Sequence, residues 1–176
     1  MTVKDYPAEQ LAHQPIGYWA GVAHQAVVEY TKATLRKEQL TQPQWWVVNL
    51  VGESPGTWTR ETVAEQMAAF AEPGLSFAPL YAQLFSRGWL DESPDGTLHL
   101  TPAGQTGTAR THTRIVRANA RIHEGITEEE FLGALAVLRR MIDNTGGDSD
   151  VPWWASGAEL VGQASPYGMN TDARGE

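Results

Sequence analysis

Residues 75–104, LSFAPLYAQLFSRGWLDESPDGTLHLTPAG, constrain the fold more than any other stretch of the chain. Phe77, Leu80, Tyr81, Leu84 and Phe85 recur at i, i+3, i+4, i+7 and i+8, which places them on one face of an amphipathic helix. Gly88 can take the left-handed backbone needed just past a helix end, so Arg87-Gly88 terminates that helix. Trp89-Leu90 and Thr97 to Leu100 then bracket Ser93-Pro94-Asp95-Gly96, a turn between two short strands. Thr101 can cap a new helix, with Pro102 in the first-turn position whose amide needs no partner.

The flanks are helical. Ile16, Trp19, Ala20, Ala23, Val27 and Tyr30 step at helical intervals, and the pattern runs to about Glu38, with Lys32, Arg36 and Lys37 at its polar end. Thr41 and Gln44 form a capping box that tolerates Pro43 in the first turn, and Trp45, Val48 and Val51 give the next helix a buried stripe. Thr57-Trp58-Thr59 fits a short strand. Val63, Met67 and Phe70 predict a helix from about Arg60 to Ala71, followed by a Glu72-Pro73-Gly74 turn. Beyond the hairpin, one helix is expected from Pro102 to about Glu124. A second, opened by the Thr127–Glu130 capping box, is strongly amphipathic through Phe131, Leu132, Leu135, Leu138, Met141 and Ile142. No period is visible in residues 1–13 or 147–176. The latter carry Trp153-Trp154 and Leu160-Val161, apolar enough to dock on the domain or on a dimer partner.

Composition removes several function classes. With no cysteine, disulfides, cysteine nucleophiles and thiolate metal sites are excluded. The five histidines lack H-x-x-x-H or H-E-x-x-H spacing, so no metal and no cofactor is expected. Gly52-Glu53-Ser54-Pro55-Gly56 matches G-x-S-x-G, but a helix precedes it and a proline follows the serine, so it reads as an inter-helix loop and not as a nucleophile elbow. Gly104-Gln105-Thr106-Gly107 lacks the lysine and the preceding strand of a phosphate loop. A non-enzymatic role follows. No run of eighteen apolar residues occurs and the first residues show no charged-then-apolar signal pattern, so a cytoplasmic protein with no membrane partner is expected.

The succession of helix, Arg-Gly-Trp-Leu, hairpin and Leu-Thr-Pro-Ala-Gly resembles the recognition helix and wing of the MarR (multiple antibiotic resistance regulator) family of winged helix-turn-helix proteins. The resemblance extends over Leu40 to Val48 and a long helix on each side, roughly residues 14–146. It implies a mostly α fold with a small β-wing (α+β), with dimerisation segments 14–40 and 105–146 around a DNA-binding lobe 41–104. An N-terminal arm, 1–13, and a C-terminal tail, 147–176, lie outside it. It further implies a homodimeric DNA-binding transcriptional regulator, a repressor released from DNA by a small aromatic or lipophilic ligand. That ligand would sit in a cleft between the first helices and the dimerisation helices, on segments that carry Trp19, His24, Trp45 and Trp46. Any one of these tryptophans alone reads more readily as filling the core or dimer interface, since Trp buries large area by default.

The residues expected to face DNA are Arg60, Ser76, Ala78, Pro79, Gln83, Arg87, Thr97, Arg110 and Arg114. Gln83 can pair bidentately with adenine, Ala78 can touch a thymine methyl and Ser76 a phosphate. Arg110, Arg114, Arg117 and Arg121 share one helical face, either a phosphate stripe or, as charge runs more often are, a solvated or salt-bridged face. Charge opposes the DNA reading. The chain carries a net −8, and between Thr57 and Gly104 only Arg60 and Arg87 stand against Glu61, Glu65, Glu72, Asp91, Glu92 and Asp95. Members of the family carry arginines at the wing tip, whereas this tip reads Asp91-Glu92-Ser93-Pro94-Asp95-Gly96. A winged helix that has lost DNA binding and serves as a ligand-binding or protein-interaction module is the competing expectation.

Overall fold

A computed structural model of the chain describes residues 4–68, 71 and 74–150. Its elements are α1 (Ala8–Ala12), α2 (Ile16–Arg36), α3 (Gln42–Glu53), α4 (Arg60–Met67), α5 (Ala78–Ser86), β1 (Leu90–Glu92), β2 (Leu98–Leu100), α6 (Pro102–Ile122) and α7 (Glu128–Asn144). The architecture is mostly helical with one two-stranded antiparallel sheet, as the sequence pattern predicts. Two expectations shift in detail. Ala8–Ala12 forms a helical turn within the aperiodic arm, and α4 ends at Met67, four residues before Ala71. Phe70, Glu72-Pro73, Trp153-Trp154 and Leu160-Val161 lie outside the described residues.

Local chemistry sets the helix boundaries. Thr41 and Gln44 make the reciprocal capping box of α3, and Thr127 with Glu130 does the same for α7. Thr101 Oγ1 accepts the Gly104 amide at the start of α6. Gly88, at φ +63°, ends α5 in the left-handed region that glycine adopts without strain. The hairpin pairs Leu90 with Leu100, Asp91 with His99 and Glu92 with Leu98. The strand expected at Thr57-Trp58-Thr59 is reduced to one bridge, Thr59 to Thr97, supported by the Leu98 amide donating to the Trp58 carbonyl at 2.7 Å.

The core gathers around α3, which contributes Trp45, Val47, Val48, Leu50 and Val51. Leu35 and Leu40 close it on one side, and Val63, Met67, Tyr81 and Leu84 close it beneath the helix-turn-helix. Trp89 and Leu98 join the hairpin to the core, and Ile115 joins α6. Trp89 lies directly on α6: a Cβ added to Gly107 would stand 2.3 Å from its indole, and one added to Gly104 would stand 2.0 Å from its carbonyl oxygen. These two glycines let the wing base and α6 approach. In contrast α7 buries none of its residues, and α2 buries only Thr34 and Leu35. No helix among the described residues is long and apolar enough to cross a membrane.

Candidate nucleic-acid interface and ligand cleft

The α4–α5 pair and the hairpin form one lobe, and its outward face is defined by what α5 buries. Tyr81 and Leu84 point into the core, which leaves Ser76, Ala78, Pro79, Ala82, Gln83 and Ser86 exposed. Tyr81 also ties the two helices together: its hydroxyl donates to the Arg60 carbonyl at 3.1 Å, and burial pushes its pKa up to about 12, so the phenol stays protonated.

Gln83 is tethered. Its Oε1 accepts from Gln44 Nε2 at 2.6 Å, while Gln44, only 2% exposed, uses its own Oε1 to cap α3 through the Thr41 amide. A bidentate contact to adenine needs both the oxygen and the nitrogen of a glutamine amide, so Gln83 makes one only by sharing or releasing its bond to Gln44.

The four arginines expected to meet phosphate all have partners within the chain. Arg60, the first residue of α4, grips Glu92 of β1 bidentately, Nε to Oε1 at 3.0 Å and Nη2 to Oε2 at 2.5 Å. Arg87 donates to the carbonyls of Gln39 at 2.8 Å and Glu38 at 3.0 Å, and its guanidinium stacks 4.3 Å from the Trp89 ring. Arg110 and Arg114 converge from α6 on the carboxylate of Glu38. Thr97 lies at the wing, bridged to Thr59 and donating its amide to Asp95. Of the two readings of the α6 stripe, the salt-bridged one describes Arg110 and Arg114. In the sequence Glu38 marks only the end of the first helical pattern, because the arginines that meet its carboxylate lie more than seventy residues away.

A cleft of about 380 Å³ opens between α2, α3 and α5. Leu40, Pro43, Trp46, Leu75 and Leu80 give it apolar walls, and Lys32 and Arg36 give it two cations. Both cations lean on Glu29, at 3.4 and 3.2 Å, and the Arg36 contact leads in holding the Glu29 carboxyl below the usual carboxylate range. Of the four residues expected around a ligand, Trp46 lines this cleft. Trp45 is 2% exposed in the core, and Trp19 and His24 lie on the exposed first half of α2. Lys32 and Arg36 were visible in the sequence only as the polar end of a helix. Their i, i+4 spacing, with Glu29 one turn earlier, is the signal that they share a face.

The same arrangement of long helices, helix-turn-helix and wing recurs in solved structures. The PcaV transcriptional regulator from Streptomyces coelicolor is 26% identical, with a TM-score of 0.63 over 76% of this chain and 98% of that one. The chain has the MarR-family winged-helix fold. The transcriptional repressor CouR is 22% identical over 78% of this chain and 98% of its own, with a TM-score of 0.59. The Mycobacterium tuberculosis MarR-family protein Rv2887, solved in complex with DNA, is 20% identical over 76% of this chain and 99% of its own, with a TM-score of 0.55. Rv2887 has also been solved with salicylic acid. No family model and no curated protein sequence matches the chain.

Proposed function

We propose that this MarR-type protein is a homodimeric DNA-binding transcriptional repressor whose hold on DNA is released by a small aromatic carboxylate or similar lipophilic anion. The observation that carries the reading is the outward face of α5. Ser76, Ala78, Ala82 and Gln83 are small or extended, exposed, and set between α4 and the hairpin, the geometry in which a recognition helix enters a major groove about 12 Å wide.

The homodimer rests on unpartnered apolar surface. Ile16, Tyr18, Trp19, Val22, Val27 and Tyr30 of α2 and Leu132, Leu135, Val137, Met141 and Ile142 of α7 are all exposed in the single chain. Such an array exceeds the scattered apolar residues that a monomer surface tolerates, and a second copy is the occupant that the family resemblance implies. The ligand class follows from the cleft. Trp46, Leu75 and Leu80 suit an aromatic ring, Lys32 and Arg36 suit an anion, and Rv2887, of the same fold, is solved with salicylic acid.

Equilibrium binding to random genomic duplex fragments at low and moderate salt tests the DNA reading. A regulator that contacts several phosphates binds with an affinity that falls steeply with salt, and no binding at low salt overturns the reading. A second reading, a winged helix acting only as a ligand-binding or protein-interaction module, is favoured by one specific observation. Arg60, Arg87, Arg110 and Arg114 each have a carboxylate or carbonyl partner in the chain, and the wing tip presents Asp91, Glu92 and Asp95. Ligand binding without duplex binding at any salt supports it.

A further inference from the structure

Arg60 occupies an unfavourable position for a cation. It is the first residue of α4, beside the helix's positive end, where acidic side chains are stabilising and basic ones are not. Its charge is accommodated by three surrounding groups. The Glu92 carboxylate takes both donors, Nε and Nη2, of one guanidinium edge, and the rings of Phe85 and Tyr81 lie 4.9 and 5.6 Å from the guanidinium carbon. Arg60 therefore joins α4, α5 and β1, the three pieces of the lobe that meet a duplex, and its side chain is still 48% exposed.

A carboxylate held bidentately by the two donors of one guanidinium edge has the geometry of a phosphate in the same grip. Resting on the DNA-binding reading above, we propose that Glu92 is a built-in stand-in for a DNA phosphate: it holds Arg60 in position on the free protein and competes with the backbone for it. Binding exchanges one bidentate partner for the other. Arg60 is thereby a phosphate-contacting residue, and Glu92 sets the affinity by opposing that contact. The pair is partly open to solvent, Glu92 at 29% and Arg60 at 48%, so the exchange requires no buried charge to be stranded. It also gives the acidic wing a role, in that Glu92 is aimed at a cation of the lobe.

The test is a double-mutant cycle in duplex affinity at low salt, on the full chain with a random genomic fragment as probe. Glu92→Gln removes the competitor and is expected to tighten binding about two- to fivefold, the size of an exposed ion pair. Arg60→Ala is expected to weaken binding and to abolish the gain from Glu92→Gln. Glu61→Gln, which removes the same charge one residue from Arg60, controls for general repulsion and is expected to give a smaller gain that survives in the Arg60→Ala background. Equal gains from Glu92→Gln and Glu61→Gln, or a Glu92 gain that persists without Arg60, overturn the exchange in favour of bulk charge. Unchanged or weaker binding by Glu92→Gln overturns it while leaving the DNA reading intact. Failure of both wild type and Glu92→Gln to bind at low salt overturns both. Should Glu92→Gln melt below the assay temperature, Glu92→Asp, one methylene short of the bidentate reach, is expected to tighten binding in the same direction, and no gain from it overturns the exchange.

Discussion

Arg110 donates twice to one carboxylate oxygen of Glu38, from Nε at 2.8 Å and from Nη2 at 2.6 Å, and Arg114 Nε takes the other oxygen at 2.6 Å. Glu38 is only 6% exposed, and its carbonyl and that of Gln39 receive Arg87. The last turn after α2 thus joins α6 to the end of α5. The Arg110 hydrogen bonds, with those of Arg114, hold the Glu38 carboxyl below the usual carboxylate range against the opposing effect of burial. Because the folded pKa is lowered, the stabilisation is complete above the unfolded value, about 4.3, and is lost as pH falls through the folded pKa. Glu38→Gln is expected to destabilise the protein by about 2 kcal/mol at pH 7, the scale of charge-assisted hydrogen bonds. Chemical denaturation across pH should show the gap between wild type and variant closing below about pH 4.

Gly107 and Gly104 stand where Trp89 leaves no space for a Cβ. Gly107→Ala presses on the indole, which can shift, and is expected to cost about 1–3 kcal/mol. Gly104→Ala meets the Trp89 backbone, which cannot, and is expected to cost more. Gly17 in α2 has nothing within 4 Å of a built Cβ and a helical backbone. Gly17→Ala is therefore expected to be neutral or to stabilise by up to about 1 kcal/mol through helix propensity. Thermal melts of the three variants give the ranking, and a destabilised Gly17→Ala would show that this part of α2 is covered in solution.

What was legible in the sequence is what neighbours in sequence decide. The caps at Thr41, Thr101 and Thr127, the stop at Gly88 and the wing turn with Gly96 at φ +84° all rest on residues within a few positions of each other. The burial of Tyr81 and Leu84, and with it the exposure of Ser76, Ala78, Pro79 and Gln83, follows from helical period alone. The partners of the charges do not. Arg60 meets Glu92 across 32 positions and Arg110 meets Glu38 across 72, so composition suggests free cations where packing supplies carboxylates. The cleft was obscured for the same reason. Trp46 faces it while Trp45, one residue away, faces the core, and only the position of Leu75 and Leu80 distinguishes the two.

That division between neighbouring side chains makes the cleft testable. An aromatic carboxylate of benzoate size is expected to quench tryptophan fluorescence through Trp46, and the quench should be lost in Trp46→Phe. Lys32→Ala and Arg36→Ala are each expected to weaken binding by about fivefold, near 1 kcal/mol for a solvent-open charge contact. Trp19→Phe and His24→Ala, outside the cleft, should leave the affinity unchanged. If they weaken it as much as Arg36→Ala does, the ligand sits elsewhere on α2.

The face of α7 sets the last expectation. Leu132, Leu135, Met141 and Ile142 recur at helical spacing, yet none of them is buried among the described residues. A helix of seventeen residues with so little support from the described residues depends on packing that another copy can supply. Stability should therefore depend on concentration, with the melting temperature falling on dilution as mass action requires. Leu132→Glu combined with Leu135→Glu places two carboxylates in the proposed contact and is expected to shift sedimentation equilibrium from dimer to monomer. The same variant should retain the wing and α3 core, because neither leucine belongs to that core, and should show this as a lower but still cooperative melt. A dimer that survives both substitutions would move the interface off α7.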